Sequence, residues 1–449
     1  MTDLEQQLLS ALDRLISREP GNIRRVWVAY SGGVDSHVLL FAVSRIRRQL
    51  SKVDIRAVHV DHQLSPLSGQ WSEHCRDICQ QLHIPYQCLI VDANATSGES
   101  PEAKARQARY RAFESVVTAG DGLLTAHHQD DQAETLLLQL LRGSGPRGLA
   151  AMPVYSRLGE GFLCRPMLTL TREQILQYAR TRQLQWIDDF SNDNPAFDRN
   201  FLRLQVIPLL KQRWPAVGKT VSRSAQLCAA TIAILDEVAE QDLRTLDEGC
   251  RDRLPISKLQ TLSLERQHNA VRAWINNLNL PCPSHKTLLH VWQQVIAATP
   301  QATPHLQWPG AEMRRYRDHL YAMPAMGSFD SGRLIPWDME QALSISGVGR
   351  IQAIAAAGRG VKIPPQSQVV VRFRQGGEHC KLPYRGGEHS LKNLFQELGV
   401  VPWMRQRLPL IYINGQLAAV ADLLICEGFA AAGKEAGLQI VCDYERTVL

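Results

Sequence analysis

The sequence lacks Cys-x-x-Cys pairs and long apolar runs, and each absence excludes a class of protein. Its ten cysteines are scattered, so zinc knuckles and iron–sulfur clusters lack their usual ligand spacing, and we expect free thiols. Cys75 and Cys79 lie one helical turn apart without a second pair to face them, which favours packing in the core. No apolar stretch is long enough to span a bilayer. The acidic start, with leucines at helical spacing, is unlike a secretory signal, so we expect a cytoplasmic protein with no membrane partner.

An excess of either charge is also small. The 449 residues carry a formal net charge of +6, which weakly favours contact with RNA and is explained almost as well by a solvated surface. A hydrophobic content of 45% and a charged content of 21% are typical of a globular protein. At this length we expect two or three domains, because single hydrophobic cores rarely grow so large.

Strand-like and helix-like segments alternate through the first part of the chain. The predicted strands are 26–30, 55–60, 86–91 and 122–126, and the predicted helices are 36–50, 70–82, 101–118 and 130–142. This alternation predicts an α/β fold with a parallel sheet covered on both faces and with ligands at the carboxyl ends of its strands. We assign this first domain to residues 1–215.

The sequence changes character at Trp214-Pro215. Residues 222–242 and 265–277 have helical patterning and are rich in Ala, Leu, Gln and Arg. We therefore predict a separate helical domain over residues 216–330.

A third domain is expected at the end of the chain. The small-residue stretch 353–360 is interpreted as a connecting loop. A strand over 369–373, a helix over 391–398 and a hairpin turning at Asn414-Gly415 then predict a small α+β domain over residues 366–449.

One turn in the sequence has the form of a phosphate-binding loop. The apolar strand 26–30 runs directly into Ser31-Gly32-Gly33-Val34-Asp35-Ser36 and then into a predicted helix. Glycines allow positive φ, so backbone N–H groups can surround phosphate oxygens, and the helix N-terminus adds a favourable dipole. Asp35 beside an anionic ligand is best explained if it holds Mg²⁺. The spacing and lysine of a Walker A loop are absent, and an ordinary glycine turn is the alternative.

A second chemically rich segment begins the helix predicted at 130–142. Asp131 and Glu134 are three residues apart, so both carboxylates project from one face beside His128. The alternative is that Asp130 and Asp131 only cap the helix. For Asp131 with Glu134 we favour function, and for Asp130 both interpretations stay open.

Arginines at helical spacing could reach a transferring phosphate. Arg106 and Arg109 lie in one predicted helix, and Arg199 and Arg203 are one turn apart in a later segment. The planar guanidinium suits phosphate oxygens. A solvated basic helix is the alternative for the first pair, and internal salt bridges explain the second pair equally simply.

Taken together, these motifs resemble the tRNA(Ile)-lysidine synthase family, a branch of the PP-loop ATP pyrophosphatases, over nearly the whole chain. The matching segments are Ser31–Ser36, 59–64, 102–110, 128–135, 142–145, 165–166, 188–203, 390–395 and 402–405. The chain departs from the family at Gln63, where glycine is common, and in a longer start with an extra helix. The resemblance implies a PP-loop ATP pyrophosphatase domain followed by two domains that contact tRNA.

The resemblance also implies a reaction. Such an enzyme uses ATP and Mg²⁺ to adenylate O2 of the wobble cytidine in a tRNA(Ile) with a CAU anticodon. The ε-amine of free L-lysine then attacks C2, AMP leaves, and decoding changes from methionine to isoleucine.

In this scheme Ser31, Gly32, Gly33, Val34, Asp35 and Ser36 bind ATP, and Asp35 also holds the metal. Arg106 neutralises charge at the α-phosphate. Asp131 and Glu134 bind the lysine ammonium group and accept its proton, in an order the sequence leaves open, with His128 beside them. Homodimer formation also stays open.

Three other functions fit the sequence less well. A tRNA thiolase of the same superfamily needs catalytic or cluster-binding cysteines, and none lies in the phosphate loop or the His128 segment. A non-catalytic RNA-binding module would have no use for Asp35, Asp131 and Glu134. A small-molecule synthetase leaves the two later domains unexplained.

Overall fold

The computed structural model describes residues 1–18, 23–50, 53–63, 66–92, 101–187, 194–246, 249–250, 252–299 and 302–445. It divides into two compact units, Met1–Ile234 and Leu235–Leu449. Among the described helices, none combines the length and the apolar character needed to cross a membrane. The expected domain ranges 1–215, 216–330 and 366–449 stay predictions.

The first unit is built on a sheet of six strands: β1 (Arg25–Ala29), β2 (Asp54–Asp61), β3 (Tyr86–Ile90), β4 (Asp121–Leu124), β5 (Tyr155–Leu158) and β6 (Gly161–Cys164). Their order is β3-β2-β1-β4-β6-β5. All neighbours pair in parallel except β5, which pairs antiparallel with β6. The predicted parallel sheet is confirmed, and its first four strands match the predicted segments closely.

The helices of this unit are α1 (Asp3–Arg18), α2 (Val34–Ile46), α3 (Ser68–Gln81), α4 (Pro101–Val116), α5 (Gln129–Leu141), α6 (Pro146–Leu149), α7 (Arg172–Thr181), α8 (Asp198–Phe201), α9 (Ile207–Arg213) and α10 (Val217–Leu246), whose last turns belong to the second unit. A 3₁₀ turn follows α2 at Arg47–Leu50, and a π-helical stretch, Leu202–Val206, joins α8 to α9.

Helices cover both faces of the sheet because its strands are apolar on both sides. Along β1, Val26 and Val28 belong to one buried cluster with α1, α2, α3 and α7, whereas Trp27 belongs to a second cluster with α4. In α1 the apolar residues recur at helical spacing and are buried, as the sequence predicts: Leu4, Leu8, Leu12 and Leu15.

The second unit begins with helices packed on a small sheet. The helices α11 (Ile256–Leu259), α12 (Leu264–Asn277) and α13 (His285–His290) precede a π-helical stretch, Val291–Ile296. The sheet contains β7 (Arg253–Pro255), β8 (His305–Trp308), β9 (Ala311–Tyr316) and β10 (His319–Met323), in the order β7-β10-β9-β8. The predicted helices at 222–242 and 265–277 are confirmed as α10 and α12. The range predicted as a helical domain also contains this antiparallel sheet, whose strands are three to six residues long.

Three further sheets complete the second unit. Their strands are β11 (Ile335–Pro336), β12 (Leu343–Ile345), β13 (Gly349–Ala357), β14 (Val369–Arg372), β15 (His379–Lys381), β16 (Glu388–Ser390), β17 (Leu410–Ile413), β18 (Gln416–Val420), β19 (Leu424–Ile425) and β20 (Ala436–Tyr444), with α14 (Leu391–Glu397) after β16. The sheets have the orders β11-β14-β17-β18-β19, β12-β13-β20 and β15-β16. The predicted hairpin is confirmed: Asn414 and Gly415 turn it with φ values of 48° and 81°.

The interpretation of residues 353–360 as a loop was wrong. Most of this stretch lies in β13, which pairs with β20 from Gly349 to Ala357. A Cβ at Gly349 would overlap the carbonyl oxygen of Asp443, and one at Gly358 would overlap that of Gly433. The small residues therefore allow close approach of two backbones and do not mark a flexible connection.

The expectation of ten free thiols was also wrong in part. Cys380 and Cys426 form a disulfide across 46 residues, with Cα atoms 5.6 Å apart, and the other eight cysteines, all within the described residues, are not disulfide-bonded. The pairing depends on how β15 and β19 come together in space, so no local spacing signals it. Cys75 and Cys79 are both fully buried in the first unit, as expected.

Candidate active site

The phosphate-loop motif lies between β1 and α2, where the sequence predicts it. The Ser36 hydroxyl donates to the carbonyl of Gly33 over 2.9 Å and accepts from the amide of Ser31 over 3.1 Å. Gly32 has a φ of +87°, and a Cβ there would lie 3.1 Å from Ile187 Cδ1. No side chain caps α2 at Gly33. The loop therefore presents helix N-terminal amides in a shape suited to an anion.

One carboxylate oxygen of Asp35 faces His128, and the other has no hydrogen-bond partner among the described residues. Its Oδ2 lies 3.7 Å from His128 Nε2. Its Oδ1 is buried and has no hydrogen-bond partner within the part of the chain that the structure describes. In the same described part, no group of three or more His, Cys, Asp or Glu side chains could hold a metal by itself. One unpartnered carboxylate beside a phosphate loop fits Mg²⁺, which proteins often bind through one or two carboxylates, substrate phosphates and water.

His128 links the loop to the helix α5. Its Nδ1 accepts from the amide of Asp130 over 3.2 Å, and its Nε2 lies 3.4 Å from Asp131 Oδ2. His128, and not an aspartate, is thus the N-cap of α5, and Asp131 completes a capping box by accepting from the amide of His128 over 2.9 Å. Burial favours the neutral imidazole, but the carboxylates of Asp35 and Asp131 outweigh it and raise the pKa of His128.

Asp131 and Glu134 project together from α5 onto two arginines. Arg203 Nε lies 2.6 Å from Glu134 Oε1, and Arg199 Nε lies 2.7 Å from Glu134 Oε2. The Nη2 atoms of Arg203 and Arg199 lie 3.1 Å and 3.4 Å from Asp131 Oδ1. Although burial alone would raise it, the charges of His128 and Arg199 hold the pKa of Asp131 at about 2. The structure therefore contains the salt bridges that the sequence offers as the alternative for Arg199 and Arg203. These salt bridges join two of the predicted motifs.

Other predicted residues lie nearby without touching the carboxylates. Asp130 accepts a hydrogen bond from Lys211 Nζ over 3.0 Å, so it belongs to a neighbouring ion pair. The Arg106 guanidinium stacks on the ring of Tyr110 at 5.0 Å, and Arg109 Nε donates to His62 Nε2 over 3.2 Å.

Gln63 lies at the end of β2 with a φ of +52°, in the left-handed region that favours glycine. A glycine would adopt this φ without strain, and this chain holds the turn with a side chain present. The Gln63 amide donates to Asp61 Oδ1 over 2.8 Å, which supports the turn.

His127 lies where the sequence predicts, at the carboxyl edge of the sheet, but it is not among the residues to which the sequence gives a role. Its Nδ1 lies 2.9 Å from the hydroxyl of Thr125. Desolvation lowers the pKa of His127 to about 3 despite the charge of Asp131, and Arg165, Arg199 and Arg106 add to the effect. The imidazole is consequently neutral at physiological pH. The available signal was the histidine pair that follows a buried strand at the carboxyl edge of the sheet.

A buried thiol lies under the phosphate loop but is not activated. Cys75 Sγ lies 3.2 Å from the position that a Cβ on Gly32 would take, and 3.8 Å from His59 Nδ1. Burial raises the pKa of Cys75, and it raises that of Cys79 to about 12. Sulfur chemistry requires a thiolate, so these cysteines are packing residues.

Comparisons with known proteins extend the resemblance seen in the motifs. A PP-loop domain model matches residues 3–210, a TilS substrate binding domain model matches 254–321, and a TilS substrate C-terminal domain model matches 369–442. The tRNA(Ile)-lysidine synthase of Coxiella burnetii is 41% identical over 415 residues, which are 92% of each chain. The enzyme of that name from Serratia proteamaculans is 42% identical over 421 residues, 93% of this chain and 95% of its own.

The chain belongs to the tRNA(Ile)-lysidine synthase family. Among solved structures, the U34-tRNA thiolase NcsA from Methanococcus maripaludis matches 51% of this chain and 79% of its own, with 16% identity and a TM-score of 0.42. The lysidine synthase assignment rests on the sequence relatives and on the three matched domains, and the expected α/β, PP-loop architecture is confirmed.

Proposed function

We propose that this chain ligates L-lysine to C2 of the wobble cytidine in a tRNA(Ile) with a CAU anticodon, while ATP is split to AMP and pyrophosphate. The observation that carries the proposal is the buried carboxylate pair Asp131 and Glu134, which His128 connects to Asp35 and the phosphate loop. A site for a cationic amine thus lies beside a site for a nucleotide, as this ligation requires. The family membership supports the same reaction.

In the first step the cytidine O2 attacks the α-phosphorus of ATP, and the bond to the β-phosphate oxygen breaks. The amides of residues 31–36 bind the departing pyrophosphate, and Arg106 neutralises charge at the α-phosphate when it leaves the ring of Tyr110. Asp35 would hold Mg²⁺ through its unpartnered oxygen, and the metal would supply charge neutralisation between the phosphates. The protein contributes chiefly positioning and electrostatic stabilisation.

In the second step the lysine ε-amine attacks C2 of the adenylated cytidine, and AMP departs with the electrons of the C2–O2 bond. Free lysine arrives as an ammonium ion, since its side-chain pKa is ~10.4 in water. Asp131 and Glu134 bind this ion. Because the pKa of Asp131 is held at about 2, it is a weak proton acceptor, and we assign proton acceptance to Glu134. The neutral His127 and the more basic His128 flank the pair.

The tRNA contacts, the cellular location and the oligomeric state are also proposals. The ranges 216–330 and 366–449 contact the tRNA, consistent with the TilS domain models that match within each. The reaction is cytoplasmic, and the working form is one chain or a homodimer.

Transfer of radiolabelled lysine to RNA tests the proposal. The purified chain is incubated with ATP, Mg²⁺, labelled lysine and a tRNA(Ile) transcript with a CAU anticodon, and a transcript with uridine at the wobble position is the control. We expect label in the first RNA and none in the second. Label in neither, or equally in both, would contradict the assigned reaction.

A further inference from the structure

Two arginines contact Asp131 and Glu134, the carboxylate pair to which we assign the lysine ammonium group. Arg203 contacts Glu134 through Nε at 2.6 Å and Nη2 at 3.0 Å, and it contacts Asp131 at 3.1 Å. Arg199 contacts the same two carboxylates at 2.7 Å and 3.4 Å. Two guanidinium cations therefore balance the two carboxylate anions of this pair.

A lysine ammonium would be a third cation in this cluster. Glu134 is 1% exposed and Asp131 is 8% exposed, so water can screen little of the added charge. An uncompensated charge at such a depth is strongly unfavourable. Departure of one guanidinium when lysine binds would keep the charge of the pair balanced.

Three observations indicate that the departing group is Arg203. Its side chain is 26% exposed, against 19% for Arg199. It lies in the π-helical stretch Leu202–Val206, where the regular helical hydrogen-bond ladder is interrupted, a feature often found at functional sites. Although burial works against it, the charges of Glu134, Asp131 and Asp35 raise the pKa of Arg203, which indicates that it lies toward the phosphate loop.

Arg199 has different neighbours. Its charge acts on His127 and Arg109, and its side chain is the less exposed of the two guanidiniums. It is therefore the guanidinium that stays with the carboxylates and keeps the occupied site neutral.

We propose that Arg203 is a placeholder for the lysine ammonium group and that the phosphates of bound ATP draw it away. The inference rests on the proposed function and adds an order to it: nucleotide first, lysine second. ATP supplies the anion that a displaced guanidinium needs, because Arg203 would otherwise exchange two carboxylates for water. The affinity for lysine then depends on whether the loop is occupied.

Equilibrium dialysis of labelled lysine against the full chain tests this order. Lysine affinity is measured with Mg²⁺ alone and with Mg²⁺ plus α,β-methylene ATP, which binds as ATP does but is not cleaved between the α and β phosphates. For the unaltered chain we expect at least about tenfold tighter lysine binding with the analogue, a typical coupling between two sites. Equal affinity in both conditions would overturn the inference.

Two variants sharpen the test. Arg203→Met removes the placeholder, so it should bind lysine without nucleotide about as tightly as the unaltered chain does with it, and the effect of the analogue should largely vanish. Arg213→Met, at an exposed position of α9, is the matched control and should keep the full coupling. Weaker lysine binding by Arg203→Met, in protein that still binds the analogue, would overturn the inference and make Arg203 a direct support of the lysine site.

Failure of this inference differs from failure of the proposed function. A chain that transfers lysine to tRNA but shows nucleotide-independent lysine affinity retains the function and loses the placeholder. A chain that never transfers lysine to tRNA loses both.

Discussion

Replacing Asp131 by Asn separates the charge of this side chain from its hydrogen bonding. An amide oxygen can still accept from the amide of His128, as Asp131 does over 2.9 Å, so α5 keeps its N-terminal capping. The negative charge that faces Arg199 and Arg203 is lost. Because the pKa of Asp131 is about 2, the unaltered carboxylate is ionised throughout any ordinary assay, and the variant differs from it at every pH used.

The size of the effect follows from one charge-assisted contact to the lysine ammonium. Hydrogen bonds to charged groups contribute ~1.5–3 kcal/mol. Since about 1.4 kcal/mol corresponds to a factor of ten, the KM for lysine should rise by roughly 10- to 100-fold. Lysidine formation should then be abolished at low lysine concentration. The KM for ATP should change less than the KM for lysine, because Asp131 reaches the phosphate loop only through His128 and Asp35.

Initial rates of lysine transfer to tRNA, measured over a range of lysine concentrations, check this expectation. Asp130→Asn is the matched control: it is the adjacent carboxylate in the same helical turn, but it pairs with Lys211 and not with Arg199 or Arg203. We expect its kinetics to stay within roughly twofold of the unaltered chain. Full activity of Asp131→Asn would remove this carboxylate from the mechanism, and equal losses in both variants would refute the reasoning from charge.

Three further predictions follow from the site. Glu134→Gln should lower kcat for lysine transfer more than it raises the KM for lysine; the reverse split would refute proton acceptance by this residue. Gly32→Ala should weaken ATP binding by about tenfold, since a left-handed φ costs ~1–2 kcal/mol with a Cβ present. Gly69→Ala, in α3 with open space around the added Cβ, is the control, and an equal loss there would refute the argument from φ. NMR titration of His128 should give a midpoint above 6.5. The stabilising charge of His128 is then fully present below pH 6.5 and is lost as the pH rises through the midpoint of the folded protein. A midpoint that Asp35→Asn does not lower would contradict the contact between His128 and Asp35.

The final domain gives a fourth expectation. Deletion of residues 366–449 should weaken tRNA binding more than ATP binding, because the phosphate loop lies wholly in the first unit. Filter binding of labelled tRNA and of labelled ATP to the truncated chain measures both. Equal loss of both would indicate a structural role for this region.

Local features of the fold and site could be predicted because their causes are local. The strand, the glycine turn and the helix around Gly32 are contiguous, and hydrophobic periodicity alone identifies the strands β1 to β4. Likewise, a three-residue spacing was enough to place Asp131 and Glu134 on one face of α5. The hairpin at Asn414-Gly415 was predictable because only a few residue types tolerate positive φ at both positions.

Features that depend on distant segments were missed or left open. The ion pairs of Arg199 and Arg203 cross more than sixty residues to α5, so the sequence could only offer salt bridges and phosphate contacts as equal alternatives. The Cys380–Cys426 disulfide and the pairing of β13 with β20 likewise depend on tertiary proximity. Small residues in β13 resembled a loop because their cause, a close second backbone, lies about eighty residues away.

The release of AMP from α-labelled ATP tests the central claim most directly. The purified chain is assayed with tRNA(Ile) and lysine each present or omitted. The proposed reaction predicts AMP only when both are present, because lysine attack is the step that releases it. AMP release that needs tRNA but not lysine would contradict the second substrate, and absence of ATP cleavage under all conditions would contradict the enzymatic function itself.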